Sequence, residues 1–312
     1  MDSTADLMVR CLAARNVGFE RVHPKDFPQQ VAVAFRCSGE APPDGRLAGP
    51  GFDFAWDEIR SVWYRRPDPF EFPAQLTKEE KDFAYHESTA VFTGLWRSLD
   101  VQWVNHPDRI RVAETKALQL KRARELGARV PRTLCTNDPA ALHDFYDELG
   151  GRVVYKSMTQ GVLGFSRQES IYTTRLDAAH LARSELVKAS PGQFQEEVPK
   201  ACDLRLTVIG ETVFAVEIHP PEDQSGNVDW RRHSGPDLKH VVHRLPAEVE
   251  RFCLALARSF GLLYAAIDMV LTPEDDYVFL EINPNGQFGW LENMTGLPFI
   301  ETLADLLAAP LA

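Results

Sequence analysis

The feature that most restricts what this chain can become is AAIDMVLTPEDDYVFLEINPNG, residues 265–286. Both flanks alternate like strands, and Thr-Pro-Glu-Asp-Asp between them is built of turn residues, so the segment reads as a β-hairpin. With Glu274-Asp275 as a two-residue loop, Asp268 falls directly opposite Glu281. Directly opposed residues share one face, with Cβ atoms about 4.5–5.5 Å apart. Asn283 projects from that face two residues further on, while Ile267, Met269, Leu280 and Ile282 are expected on the other, against a core. Opposed carboxylates repel unless something positive lies between them. A hard cation with oxygen ligands resolves the repulsion, and Asn283 offers a third oxygen. Mg2+ takes one or two carboxylates and completes its shell with water and substrate phosphates. The competing reading is a solvated acidic face on an exposed hairpin.

Composition sets the frame for such a site. The 312 residues suit about two domains or one elaborated α/β unit, and 44% hydrophobic residues supply a core without disulfide or metal staples. With 45 acidic against 34 basic residues, the net charge of −11 argues against general binding to nucleic acid or an anionic membrane. It leaves room for a local basic pocket. The five cysteines, Cys11, Cys37, Cys135, Cys202 and Cys253, form no CxxC pair, so neither a disulfide framework nor a zinc site is suggested. Reduced thiols, the absence of a long apolar run and an N-terminus without an apolar targeting segment together predict a cytoplasmic protein with no membrane partner.

Three regions follow from the punctuation, at 1–105, 106–190 and 191–312. The first holds a predicted helix over 4–15, strands at Phe19–Val22, Val31–Arg36 and Ile59–Tyr64, a loop over Ser38–Gly51 and a long helix over 79–99. The second opens with a helix over 110–126, stopped by Gly127 and Pro131. It continues with a helix near 139–149, a strand Arg152–Lys156, a Gly-containing loop over 157–164 and a helix near 177–189. The third alternates strands at Gln193–Val198, Leu204–Ile209 and Val213–Ile218, crosses a loop over 219–240, and ends with helix 247–260, the hairpin and a helix near 299–308. Strands mixed with helices, in parallel and hairpin connections, predict an α/β or α+β protein with several small sheets.

Basic residues cluster at the places where phosphate could be held. Lys116 opens the second region, and Lys156 ends a strand before a small flexible loop, where backbone N–H groups and a point charge suit phosphate. That loop lacks the Gly-Lys-Ser/Thr ending of a P-loop. The strand at Gln193–Val198 leads to Lys200, Asp203 and Arg205, a setting able to read an adenine edge and ribose hydroxyls. Arginine doublets at Arg65-Arg66 in WYRRP and Arg231-Arg232 in DWRRH offer forks for phosphate or carboxylate. Taken singly, each of these reads first as a solvated surface charge.

Taken together, the residues resemble the ATP-grasp superfamily of carboxylate–amine ligases over almost the whole chain. Within it, the chain is most similar to the ribosomal-peptide maturases that make graspetides, the microviridin-type macrocycles. The segments carrying that likeness are SVWYRRP (61–67), VQWVNHPDRIRVAETKALQLKRARELGARVPRTLCTNDP (101–139), FQEEVPKACDLRLTVIG (194–210), VDWRRH (228–233) and FLEINPNGQFGWLENMTGLP (279–298). The resemblance implies an ATP-grasp fold, with an N-terminal Rossmann-like pre-ATP-grasp domain, a central α/β domain and a C-terminal grasp domain built on an antiparallel sheet. It implies ATP and two Mg2+ ions as cofactors. Lys116 and Lys156 would hold the α- and β-phosphates. Glu196, Glu197 and the Val198 backbone would frame the adenine, with Asp203 nearby. Arg205 and Arg231 would act on the γ-phosphate and the acyl phosphate, Asp268, Glu281 and Asn283 would hold Mg2+, and Arg65 and Arg66 would face the peptide.

The implied reaction is ATP-dependent macrocyclisation of a ribosomal precursor peptide, a leader joined to an acidic core containing Thr or Ser. Asp or Glu side chains would be activated as acyl phosphates and joined to Ser/Thr hydroxyls or Lys amines. A homodimer is a further expectation, and the loop over 157–164 would be the lid. The alternative is a RimK- or glutathione-synthetase-like ligase that adds a free amino acid to a carboxylate; a nucleotide-binding module without catalysis is the third reading. Two departures from the family pattern stand out. The apolar strand that normally precedes the first helix is missing, which implies either a truncated start or another segment in its place. And His233 stands where RimK-type ligases carry Asn, which favours the peptide-maturase branch.

Overall fold

The computed structural model describes residues 3–39, 44–159, 162–163, 169–219, 228–232 and 238–308. The N-terminal region starts with α1 (Ser3–Ala14), followed by an antiparallel meander of β1 (Ala32–Arg36), β2 (Asp44–Gly49) and β3 (Phe52–Ala55). β4 (Ser61–Trp63) and β5 (Gln102–Val104) then pair in parallel, and α2 (Lys78–Ser98) supplies the crossover such a pair needs. α2 begins with a reciprocal cap, in which Glu80 N–H donates to Thr77 Oγ1 at 3.2 Å and Thr77 N–H to Glu80 Oε2 at 2.8 Å. Its inner face buries Phe92 and Leu95 against Val31, Leu47, Leu99 and Trp103. The parallel pair is what this region holds of a Rossmann-like arrangement among the described residues.

Two local expectations fail here. The loop over Ser38–Gly51 contains β2, because Asp44–Ala48 pairs with β1 despite its weak strand propensity. Phe19–Val22 forms no strand; Val22 instead packs on the α2 cluster.

The central region carries α3 (Pro107–Ala113), α4 (Lys116–Glu125), β6 (Thr133–Thr136), α5 (Pro139–Glu148), β7 (Val153–Lys156), the short pair β8 (Val162–Leu163) and β9 (Glu169–Ser170), β10 (Thr174–Arg175), α6 (Ala178–Leu181) and β11 (Gly192–Glu196). Its main sheet is antiparallel, in the order β10-β7-β11-β6. The helix expected over 110–126 is two helices. Thr115 takes an extended conformation at the N-terminus of α4, so the chain restarts there and Lys116 stands in a first turn. The helix expected over 177–189 is likewise α6 followed by a 3-10 turn over Ser184–Lys188.

The C-terminal region is organised by a five-stranded antiparallel sheet in the order β14-β13-β12-β15-β16. Its strands are β12 (Cys202–Ile209), β13 (Thr212–His219), β14 (Lys239–Val242), β15 (Tyr264–Leu271) and β16 (Tyr277–Asn283); the helices are α7 (Ala247–Ser259), α8 (Gly289–Thr295) and α9 (Phe299–Ala308). Strand alternation gives the sheet two unlike faces. On one, Leu204, Leu206, Ile267, Met269 and Phe279 meet Cys253, Leu256 and Ala257 of α7. Each such fully buried side chain contributes about 1.5–3 kcal/mol. On the other, Ile209, Val216 and Tyr264 meet α8, α9 and α1 through Leu291, Phe299, Leu303, Met8 and Leu12. The rest of that second face carries Asp203, Arg205, Asp268 and Val270 and is left for the site. No helix among the described residues is long and apolar enough to cross a membrane.

The hairpin keeps its carboxylates in register by an unexpected route. Its loop is Thr272–Asp276, closed by Thr272 N–H donating to Asp276 O at 2.9 Å and with Asp275 at φ 63°. Leu271 therefore pairs with Tyr277, one residue out of the expected register. A β-bulge at Leu280 restores it, so that Asp268 pairs with Glu281 while Met269 pairs with Phe279. Phe279 takes the core position, and Leu280, expected in the core, turns to the site side with Glu281.

Candidate active site

The register of β12, β15 and β16 sets the floor of the site. Arg205 pairs with Asp268, and Asp268 with Glu281, so three charged side chains stand in a row across the sheet. Arg205 Nη1 donates to both Asp268 oxygens, at 2.8 and 2.9 Å. Lys116, from the first turn of α4, donates to Glu281 Oε2 at 2.6 Å. Each carboxylate thus has its own cation. Burial works against ionisation of Glu281, but Lys116, Lys156 and Arg231 outweigh it and push the carboxyl down to about 2. At Asp268 burial prevails, helped by the Glu281 charge, and the carboxyl lies above its ordinary range although Arg205 opposes this. The donor set of Asp268, Glu281 and Asn283 is all hard oxygen, which fits a hard divalent cation such as Mg2+.

The loop after Glu281 is held from three sides. Asn283 Oδ1 accepts the Asn285 N–H at 2.9 Å. From α4, the buried Gln119 brackets Ile282: its Nε2 donates to Ile282 O at 2.9 Å, and its Oε1 accepts the Ile282 N–H at 3.3 Å. Asn105, buried at the end of β5, donates to Tyr264 O at 2.7 Å and Pro284 O at 2.9 Å, and accepts from Leu263 N–H at 2.9 Å and Tyr264 N–H at 3.1 Å. Arg65 Nη1 donates to Asn285 O at 2.9 Å and Gly286 O at 3.0 Å, and Arg66 Nε to Asn285 O at 3.2 Å. The first arginine doublet therefore lies against the loop that directly follows Asn283.

Gly286 is where that loop passes closest to the floor. A Cβ there would stand 2.4 Å from Ala266 Cβ and 2.7 Å from Arg205 Nη2. Gly286→Ala is expected to cost about 1–3 kcal/mol of stability through overpacking and to displace the Arg205 guanidinium. Thermal denaturation alongside ATP-consumption kinetics checks both; a variant with wild-type values in each would show that the loop absorbs the methyl group.

Beside the floor lies a cavity of about 220 Å3 between the two main sheets. Val154, Val270 and Leu280 give it apolar walls, and Lys156, Glu196, Glu197, Val198, Lys200 and Asp203 its polar rim. An apolar slot edged by backbone polar groups suits a purine base. Lys156 has no hydrogen-bond partner among the described residues, and burial pushes its ammonium down while Glu281 opposes this. Glu197 is committed to a two-pronged ion pair with Arg175, whose Nε donates at 2.7 Å. Glu196 Oε2 accepts the Arg132 N–H at 3.3 Å, which holds β11 to the start of β6. Asp203 accepts from Lys200 Nζ at 2.6 Å, and burial raises its carboxyl despite that lysine.

Arg231 approaches from the segment before β14. It is aimed by the buried Asp229, which takes its Nε and Nη2 at 2.8 Å each and also accepts Thr173 N–H at 2.9 Å. Trp230 stacks near Trp290 with centroids 5.6 Å apart, which ties this segment to α8. The positive charge of Arg231 reaches both Asp268 and Glu281.

Lys116, Arg205, Asp268, Glu281 and Asn283 thus converge on one floor, with Arg231 facing it and Lys156, Glu196, Glu197, Val198 and Asp203 around the adjoining cavity. Asn105, Gln119, Asp229, Leu280 and Gly286 join them although no motif in the sequence marks them for the site. A weak signal existed for two of them: Gln119 follows Lys116 by three residues on one helix face, and Asp229 sits two residues before Arg231. His233 and residues 160–161 and 164 of the expected lid lie outside the described residues.

Known proteins share this overall fold. A family model described as the MvdD pre-ATP-grasp domain matches residues 2–111. No curated protein matches the sequence. Among solved structures, a RiPP-associated ATP-grasp ligase of Chryseobacterium gregarium, in complex with ADP and a leader and core peptide, is 27% identical with a TM-score of 0.89, covering 99% of this chain and 95% of its own. The macrocyclase MdnC of Microcystis aeruginosa MRC, bound with its precursor peptide MdnA, is 28% identical with a TM-score of 0.85, covering 98% and 96%. The ATP-grasp ligase PsnB, complexed with a minimal precursor, Mg and ADP, shares the fold at 24% identity and a TM-score of 0.75, covering 98% and 93%. With a matching pre-ATP-grasp domain, a full-length likeness and a floor of paired cations and carboxylates, the chain is an ATP-grasp ligase similar to the peptide-maturing macrocyclases of that superfamily.

Proposed function

We propose that the protein joins side chains within a ribosomally made precursor peptide. It would activate Asp or Glu carboxylates with ATP and close ω-ester or ω-amide rings with Ser/Thr hydroxyls or Lys amines. What supports this reading is the full-length likeness to ligases solved with their precursor peptides, and the floor, where Asp268, Glu281 and Asn283 present oxygen donors between Lys116, Arg205 and Arg231, suits the ATP activation it requires. In the same proposal the chain works as three units, at 1–105, 106–190 and 191–312, in the cytoplasm and as a homodimer.

Lys116 and Lys156 hold the α- and β-phosphates of ATP, with the base in the apolar slot against Leu280 and Val270 and its edge on the backbone of Glu196–Val198. Asp203 faces the ribose. Asp268, Glu281 and Asn283 would hold the Mg2+, two ions in all, which would supply charge neutralisation on the phosphate oxygens. Arg205 and Arg231 place fixed positive charge where negative charge grows on the transferred phosphoryl group, and they need no reorganisation to do so. No enzyme nucleophile is needed, since this chemistry rests on positioning and electrostatics. Arg66, exposed at the rim of the loop, and Arg65 beside it face the peptide.

The test is incubation of the protein with ATP, Mg2+ and a short peptide encoded beside its gene, read by mass spectrometry. Loss of one water mass per ring, with matching ADP release, is the expected result. A mass gain on addition of free amino acids would replace this reading with the amino-acid ligase.

A further inference from the structure

The opposite face of the C-terminal sheet carries a second cluster that the ligase chemistry does not use. Cys202 begins β12, while Glu217 and His219 lie two residues apart near the end of β13. Asp203 pairs with Ile218, so Cys202 stands across from His219, and Leu204 pairs with Glu217 on the face covered by α7. A sulfur, a carboxylate oxygen and an imidazole nitrogen of these three residues lie within 4.8 Å of one another. The arrangement is supported from outside. Glu217 Oε2 contacts His219 Nε2 at 2.7 Å, and Glu217 Oε1 contacts His243 Nδ1 at 2.7 Å. His243 Nε2 in turn meets the Tyr277 hydroxyl at 2.8 Å.

Cys253, on α7, sits among Leu204, Leu206, Leu256 and Ile267 as an ordinary core residue. Cys202 is equally buried, yet it shares its end of the sheet with a carboxylate and an imidazole. A thiol, an imidazole and a carboxylate form the donor set of borderline-soft divalent ions, whereas the Asp268 floor offers only hard oxygens. The hydrogen bond from His243 to the carboxylate is the outer support that metal-binding carboxylates and imidazoles generally have. Glu217 and His219 are partly exposed, so an ion and a water can reach them from solvent.

We propose that Cys202, Glu217 and His219 bind one divalent ion of the Zn2+ class, with His243 orienting Glu217 and a water in the fourth position. Binding displaces the Cys202 thiol proton to solvent and replaces the direct contact between Glu217 Oε2 and His219 Nε2. The ion ties β12 to β13 on the far side of the sheet from Asp268, so it is distinct from the Mg2+ site and does not depend on the reading of that site.

The experiment uses the full chain, cleared of metal by chelation, dialysed, and titrated with Co2+ and then Zn2+. One equivalent of Co2+ is expected to give a near-ultraviolet thiolate-to-cobalt absorption that Zn2+ displaces and a large excess of Mg2+ does not. Cys202→Ser is expected to remove that absorption, His219→Ala to abolish stoichiometric uptake, and His243→Phe to weaken it by about 10–100-fold. Because Cys202 is buried, the more exposed His219→Ala keeps the test valid if Cys202→Ser folds poorly. Absence of stoichiometric uptake by the wild-type chain, displacement by Mg2+, or uptake unchanged in His219→Ala would each overturn the proposal.

Discussion

Replacing Glu281 by glutamine is expected to lower peptide-dependent ATP consumption by about 10³-fold, the scale seen when one preorganised charge-stabilising contact is lost. The neutral amide keeps the shape of the side chain but removes both an oxygen anion for the metal and the charge that holds Lys116 at 2.6 Å. Folding should survive, because Ile282 beside it stays bracketed by Gln119. Steady-state ADP release with peptide present, together with a melting curve, checks the two halves; wild-type turnover would sink the metal assignment. Mild acid does not imitate the substitution. With its carboxyl pushed down to about 2 from an ordinary 4.5, Glu281 stays ionised through the usual carboxylate range. The stabilisation it gives is complete above pH 4.5 and fades only as the pH falls toward 2.

Asn105→Ala is expected to be the most destabilising single change at the site that leaves every charged residue in place. Its amide serves four buried or half-buried backbone groups: the carbonyls of Tyr264 and Pro284 and the N–H groups of Leu263 and Tyr264. Leaving a buried polar group without a partner costs about 1–3 kcal/mol, so a total of about 4 kcal/mol is a conservative figure for this set. That is a large share of the ~5–15 kcal/mol that holds a typical domain together. Denaturant unfolding measures it directly. Asn105→Asp should fare no better, since it keeps the acceptor, loses both donors and buries a charge. A midpoint within experimental error of the wild-type for Asn105→Ala would mean that water takes over these bonds.

Much of the site could be read before the fold was known, and the reasons differ residue by residue. The pairing of Asp268 with Glu281 was legible because side chains alternate strictly along a strand and the turn residues located the reversal. Two offsetting irregularities in the hairpin nonetheless produce the pair that strict alternation predicts. The loop closes at Leu271 and Tyr277, one residue out of step, and the bulge at Leu280 cancels the step. No local pattern announces such a bulge, which is why Leu280 was expected in the core. Gln119 and Asn105 were illegible for another reason. Each satisfies backbone groups more than 150 residues away, at separations of 163 and 159, and such partners leave no mark on neighbouring sequence. The two arginine doublets look alike in the sequence but divide their work. Arg231 is aimed at the floor by Asp229, whereas Arg65 and Arg66 lie on the carbonyls of Asn285 and Gly286. The break between α3 and α4 was missed because helical periodicity runs through it unchanged.

The grip of Arg65 and Arg66 on the Asn285–Gly286 backbone bears on how such enzymes can be recombined. A chimaera joined near residue 105, with its front third borrowed from a relative of different taste in peptides, must import matching guanidinium groups along with that third. Otherwise the transplanted piece would fold and still leave the recipient's Asn285–Gly286 loop without its clamp. The front third and the C-terminal sheet are thus stitched together across the graft boundary, and the seam lies in the backbone of one short loop.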